Sequence, residues 1–266
     1  MILITGATDG LGRYAATELV KAGETVVAHG RNPARLREIA EELGVETVCA
    51  DLADLWQVDR LADEILSRFD RLDVLVNNAG VGFGADTSLR EESADGIELR
   101  FAVNFLAGYQ LTRRLVPLLT ASAPSRIVNV ASAGQVPIDF DDPQLTKSYD
   151  GLRAYRQSKL AQIMFTIDLA EELRGAGVTV NALHPASLMP TTMVLQAAMG
   201  TMSTIEEGGA ALLRLITDPD LDAVTGTYFN RMKPAEPNAQ AASAQARRRL
   251  RTLSDALITA TLTPGS

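Results

Sequence analysis

A chain of 266 residues, 46% hydrophobic and only 5% aromatic, is long enough to bury a full core and fits one large α/β domain. Its formal charge of -8 argues against non-specific nucleic-acid binding. Cys49 is the only cysteine, which excludes an intrachain disulfide, and it forms no metal-ligand spacing with His29 and His184. No stretch approaches roughly 18 uninterrupted apolar residues, and the first strand leaves no room for a charged leader, so the reading is a soluble, cytoplasmic protein.

The chain opens on a short apolar run, residues 1–5, that passes into Gly6, Thr8, Asp9, Gly10, Leu11 and Gly12 and then into helical periodicity. Strand, turn and helix in that order give glycines that let the backbone approach a pyrophosphate, with the positive helix end behind them. The spacing points to dinucleotide binding, although glycines also serve ordinary strand-to-helix turns. A second strand over 25–28 ends at His29, Gly30, Arg31 and Asn32. An acid at this tip would accept from a ribose 2′-hydroxyl, whereas an arginine pairs with a 2′-phosphate. Arg31 with no carboxylate beside it favours NADP(H) over NAD(H), with Arg13 and Arg35 adding to the positive field.

Pro33 and Gly44 bracket the next helix, and residues 45–50 form a third strand that ends in Asp51 and Leu52, placed to meet an adenine. Asp54 caps a helix over 55–69. A fourth strand, 72–76, stops at Asn77, Asn78, Ala79 and Gly80. Amides at the end of a buried strand need specific partners, in the loop or in a cofactor. After a polar stretch, 82–94, a long helix runs through Ile97, Phe101, Leu106, Leu111 and Leu118 with Asn104 in its apolar middle.

A fifth strand, 127–131, delivers Ser132 to the carboxyl edge where open parallel sheets bind ligands. An insertion, 135–153, then crosses the surface. From Leu152 a helix carries Tyr155 and Lys159, four apart and hence on one face, until Gly175 and Gly177 end it. A cation beside a phenol favours the phenolate and makes tyrosine a better acid, although the spacing alone also fits a solvated face. Tyr149 lacks this partner, because Arg153 stands four residues on. Strand six covers 178–183. The segment 186–204, rich in Leu188, Met189, Met193, Leu195, Met199 and Met202, reads as a lid over an apolar pocket or as ordinary packing. A helix over 205–217, a strand over 224–229 and a terminal helix bearing Arg247, Arg248, Arg249 and Arg251 on its polar side close the chain.

These motifs resemble, in order and spacing, the short-chain dehydrogenase/reductase family. They are the glycine turn, Asn77, Asn78, Ala79 and Gly80, Asn104, Ser132, and Tyr155 with Lys159. The stretch from Tyr155 to Ala161, with His184 and Pro185, resembles its retinol-dehydrogenase-like branch, which often handles apolar alcohols and carbonyls. The resemblance implies a single doubly wound parallel sheet of about seven strands (a Rossmann fold). It also implies a catalytic tetrad of Asn104, Ser132, Tyr155 and Lys159, in which Lys159 lowers the tyrosine pKa. NADP(H) would contact Pro185 and Thr191 besides the residues named above. It further implies a small-molecule alcohol or ketone substrate, and a homodimer or homotetramer built on the helices near 101–119 and 152–174. The family commonly has glycine after the proline and threonine five residues beyond it, where this chain has Ala186 and Pro190, leaving Thr191 or Thr192 as substitutes. A redox-neutral use of the same tyrosine, as dehydratase, epimerase or cyclase, and a nucleotide-sensing binding module are the competing readings.

Overall fold

The computed structural model describes residues 1–196 and 200–263; the expectation for Met199 falls outside them, as does the side chain of Met193. Seven short strands, β1 (Ile2–Ile4), β2 (Val26–Gly30), β3 (Glu46–Cys49), β4 (Val74–Asn77), β5 (Ser125–Val130), β6 (Val178–His184) and β7 (Tyr228–Asn230), run parallel in the order β3-β2-β1-β4-β5-β6-β7. A two-residue strand, β8 (Lys233–Pro234), adds an antiparallel eighth edge. The order reverses between β1 and β4, which opens a crevice at the carboxyl edge.

Alternation along the strands sorts the core into two layers. Leu3, Val27, Leu75, Ile127 and Val180 face one side, where α3 (Leu55–Arg68), α5 (Ala107–Ala121) and α6 (Gly151–Glu172) cover them. Ile4, Ala28, Val76, Val128 and Leu183 face the other, under α1 (Gly10–Lys21), α2 (Pro33–Leu43) and α8 (Ile205–Thr217), the short α7 (Thr192–Gln196) lying between β6 and α8 in the chain. Each fully buried Leu, Ile or Val contributes about 1.5–3 kcal/mol, so a sheet lined on both faces holds its edge rigidly.

The caps follow the sequence. Asn32 accepts from the backbone N–H of Ala34 and Arg35, Asp54 accepts from that of Gln57, and Gly44 ends α2 in a left-handed conformation. Two expected elements change. The long helix begins later than Ile97, as α4 (Leu99–Phe101), and carries a π-helical turn (Ala102–Leu106) before α5. The last parallel strand is shorter than 224–229, because residues 224–226 turn, with the Val224 N–H bonded to the Leu221 carbonyl.

The arginine run of α9 (Ala244–Leu262) is not simply a solvated side. Arg247 is 5% exposed and pairs with Glu171, while Arg251 pairs with Asp168, both carboxylates of α6. Tyr109 donates to Asp255 at 2.6 Å, and Leu250 joins the core. The chain's own terminal helix therefore packs on α5 and α6, the two helices from which self-association is expected.

Candidate active site

At the carboxyl edge a cleft of about 600 Å³ runs from Arg31, Arg35 and Asp51 past the glycine turn to Ser132, Tyr155 and Lys159. Its first wall is the β1–α1 turn. A Cβ on Gly12 would lie 2.2 Å from the Gly6 carbonyl oxygen and 2.5 Å from Asn78 Nδ2, so only glycine permits this approach. Asn78 donates its amide to the Thr5 and Gly6 carbonyls at 2.8 and 3.2 Å, and His29 Nδ1 accepts from the Gly6 N–H at 3.2 Å. His29 Nε2 lies 3.1 Å from the Ala50 carbonyl, which assigns the proton to that nitrogen. Burial pushes this ring down to about 4, so it is neutral and ties the glycine turn after β1 to the end of β3.

Every expected cofactor residue lines this cleft except Asn32, whose side chain is committed to capping α2. Gly6, Thr8, Gly10, Leu11, Ala79, Gly80, Leu52 and Pro185 supply mainly backbone and apolar wall. Asp9 does more. Its carboxylate takes the Gly10 N–H and the Thr192 hydroxyl, and lies 3.7 Å from Arg35. Thr191 presses its methyl against Gly10, so the segment after β6 closes over the turn. Arg13 is absent from the cleft, since it pairs with Glu42 on α2.

The opposite end carries the reactive groups. Ser132 leaves β5 and lines the cleft beside Tyr155, its hydroxyl oxygen accepting from the Gly134 N–H at 3.1 Å. Tyr228 of β7 donates to the Ser132 carbonyl at 3.2 Å, a brace from the far side of β6 that no local motif announces. Lys159 is 4% exposed and donates to the Val130 carbonyl and Gln162 Oε1, both at 2.9 Å. Its Nζ lies 5.7 Å from the Tyr155 ring centroid.

The acidity expected of Tyr155 is not that of the free protein. Burial raises the phenol above its ordinary value, with the nearby Ser132 hydroxyl pulling the other way, and burial brings the Lys159 ammonium down to about 7. Burial thus moves both side chains toward their neutral forms.

Asn104 stands behind the wall rather than in it. Its amide bonds Val81 and donates to the Ser158 hydroxyl at 3.1 Å. Below the site Asn77 donates to Thr112 and Asn129, and Asn129 to Thr166, which joins β4, α5, β5 and α6 in one polar spine.

The rest of the substrate side was harder to read from sequence. Phe83 meets Tyr155 edge-on at 6.0 Å between centroids, and Gly151 leaves room for the Phe83 carbonyl, which a Cβ would approach to 2.2 Å. Arg100 is 1% exposed and donates to the Gly82 carbonyl and to Tyr149, which in turn donates to Glu98. Its charge amid apolar helical positions was the available signal, of the same kind as Asn104. Phe83, Leu188, Met189 and Val194 give this end an apolar lining.

A glycine cradle at a helix N-terminus, continuous with a Ser-Tyr-Lys group, fits a nicotinamide dinucleotide. The comparisons agree. The family model for short chain dehydrogenase matches residues 1–199. The chain is 36% identical to retinol dehydrogenase 14 of Mus musculus, over 97% of this chain and 85% of that one. A solved Mycobacterium paratuberculosis protein superposes with a TM-score of 0.79 at 28% identity, covering 97% and 92% of the two chains. The 3-ketoacyl-(acyl-carrier-protein) reductase of Brucella melitensis, complexed with NADH, gives 0.70 at 28% identity, covering 87% and 98%. With its glycine turn, Ser132, Tyr155 and Lys159 lining one cleft and 97% of its length matched by a relative 36% identical, the chain belongs to the short chain dehydrogenase family and is a retinol-dehydrogenase-like oxidoreductase of alcohol and carbonyl groups.

Proposed function

We propose that this protein interconverts a hydroxyl and a carbonyl on a medium-sized apolar substrate, with NADP(H) as the preferred cofactor. The observation that carries the reading is the convergence of Ser132, Tyr155 and Lys159 in one cleft whose lining also includes Phe83, Leu188 and Met189. Arg31 supports the cofactor preference, because it lines the cleft at the adenosine end and, among the described residues, has no carboxylate partner.

When bound, the nicotinamide ring supplies or accepts the hydride. Ser132 holds the substrate oxygen by donating its hydroxyl. Tyr155 gives its proton to that oxygen as negative charge develops there, and takes one back in the oxidation direction. Lys159 stabilises the phenolate that remains, and from the floor of the cleft its ammonium would hold the ribose of a bound nicotinamide dinucleotide. Asn104 serves from behind. A Cβ on Gly80 would meet Asn104 Oδ1 at 3.1 Å and Lys159 Nζ at 3.6 Å, so the two polar groups converge around that glycine, and we assign Asn104 to the proton path behind the lysine.

The test is oxidation of NADPH and NADH by the purified protein against medium-length apolar ketones and aldehydes, with Tyr155→Phe alongside. Turnover by the wild type, faster with NADPH and lost in Tyr155→Phe while NADPH still binds, supports the reading. An equally active Tyr155→Phe protein sinks it.

A further inference from the structure

The β7–β8 turn brings two cations to the substrate end of the cleft. β7 runs parallel to β6 with His184 opposite Asn230, so the chain leaves β7 at the carboxyl edge beside the residues that follow β6. The turn is tight, with Asn230 paired to Lys233 and Arg231 held at φ 56°, a conformation unfavourable for a residue with a side chain. Two contacts fix it from outside. The Arg231 N–H donates to the His184 carbonyl at 2.7 Å, and Arg214 of α8 donates to the Met232 carbonyl.

A recess lined by Ala133, His184, Ser187, Asn230, Arg231 and Lys233 opens here, and its first three residues also line the main cleft. The two spaces therefore adjoin across Ala133, His184 and Ser187. Most of the chain's arginines are neutralised by a carboxylate, yet among the described residues neither Arg231 nor Lys233 has one within 4.0 Å. The Arg231 guanidinium instead donates to Ser203 at 3.2 Å, on the return arm of the segment over the site. Its charge reaches His184, where burial first and Arg231 second hold the imidazole down to about 4, so His184 adds no competing charge of either sign. Arg156, also without a carboxylate partner among the described residues, lies along Gly134 on the other wall, with Cγ 3.7 Å from where a Cβ there would be. On a chain of formal charge -8, a local cationic rim is what an anionic ligand needs in order to approach.

We infer that the substrate is an apolar chain ending in an anion, a carboxylate or a phosphate monoester, whose charged end is held by Arg231 and Lys233 while its carbonyl sits at Ser132 and Tyr155. This rests on the carbonyl-reducing reading above and sharpens its substrate class. Arg231 suits the role, since a guanidinium grips either anion through two parallel N–H donors.

The experiment uses straight-chain ω-oxo carboxylates and ω-oxo alkyl phosphates of graded length, each beside a neutral counterpart, the methyl ester or the parent aldehyde. Turnover with NADPH is measured, and binding to the NADPH-saturated Tyr155→Phe protein is followed by calorimetry. One anionic series is expected to exceed its neutral counterparts in kcat/KM by about ten-fold or more at the optimum length, and which series does so distinguishes carboxylate from phosphate. The double variant Arg231→Gln, Lys233→Gln should erase that preference through KM while leaving the neutral aldehydes within about two-fold, and Arg231→Glu should reverse it. A wild type indifferent to the charge, or a variant that loses neutral and anionic substrates equally, overturns the inference. Turnover without charge preference leaves the reaction standing and removes the subsite. Arg231-dependent binding without turnover does the opposite, and neither binding nor turnover removes both.

Discussion

Asn104 and Val81 exchange two hydrogen bonds, the Val81 N–H donating to Asn104 Oδ1 at 2.7 Å and Asn104 Nδ2 donating to the Val81 carbonyl at 3.0 Å. The π-helical turn at Ala102–Leu106 contains Asn104, and turns of this kind recur at functional sites. Asn104→Ala leaves the Val81 groups unpaired and should destabilise the protein by about 2 kcal/mol in denaturant unfolding, with kcat falling about ten-fold or more as the Gly80–Val81 wall shifts. Asn104→Asp keeps the acceptor and loses the donor. It should fall between, and wild-type values in both variants would remove Asn104 from the site.

Arg31 sets the cofactor prediction. It is exposed at the adenosine end of the cleft, where a bidentate guanidinium–phosphate contact is available. Arg31→Asp should weaken NADPH binding by about ten- to a hundred-fold and leave NADH binding unchanged or improved, because a carboxylate there accepts from a ribose hydroxyl and repels a phosphate. Fluorescence titration of both nucleotides checks it, and a parallel loss of both would mean that Arg31 does not discriminate.

How far the sequence revealed this architecture depends on how local each signal is. The glycine turn, the caps at Asn32 and Asp54 and the helical pair Tyr155 and Lys159 are set by neighbours within one turn of chain, and they stand where the spacing puts them. The tips Arg31, Asp51 and Ser132 were legible because parallel strands must end at one edge. Contacts across long separations were not. Tyr228 bracing Ser132, Arg100 holding Gly82 and α9 covering α6 each join residues that no period or motif relates. The raised Tyr155 pKa was hidden for another reason, since it follows from burial depth, which apolar periodicity reports only as inside or outside.

The two buried histidines predict an acid-sensitive stability. His29 is 2% exposed and His184 7%, and burial brings each from 6.5 to about 4. Between those values the unfolded chain binds protons that the folded one refuses, so the stabilisation is complete above about pH 6.5 and is lost as the pH falls to about 4. A shift of this size corresponds to up to about 3 kcal/mol per ring. His29→Gln does not titrate, so its unfolding free energy should fall less steeply than that of the wild type between pH 6.5 and 4. Parallel pH profiles for the two proteins would contradict the assignment.

Adjacent glycines on α8 make opposite predictions. A Cβ on Gly208 would lie 2.3 Å from Met189 Sδ, whereas one on Gly209 would lie 2.1 Å from Tyr14 Cε1 on α1. Methionine adapts, and alanine gains about 0.8–1 kcal/mol over glycine within a helix, so Gly208→Ala should fold with near-normal stability while pushing Met189 into the cleft it lines. Its effect should be a several-fold rise in KM for bulky substrates. Tyr14 is a ring on the helix that follows the glycine turn, and it cannot yield without parting α1 from α8. Gly209→Ala should therefore cost about 1–3 kcal/mol despite the gain in helix propensity. Thermal unfolding and KM measured together separate the two. If Gly208→Ala were the less stable protein, or Gly209→Ala the one with altered KM alone, the seat of Met189 against α8 would not shape the substrate pocket.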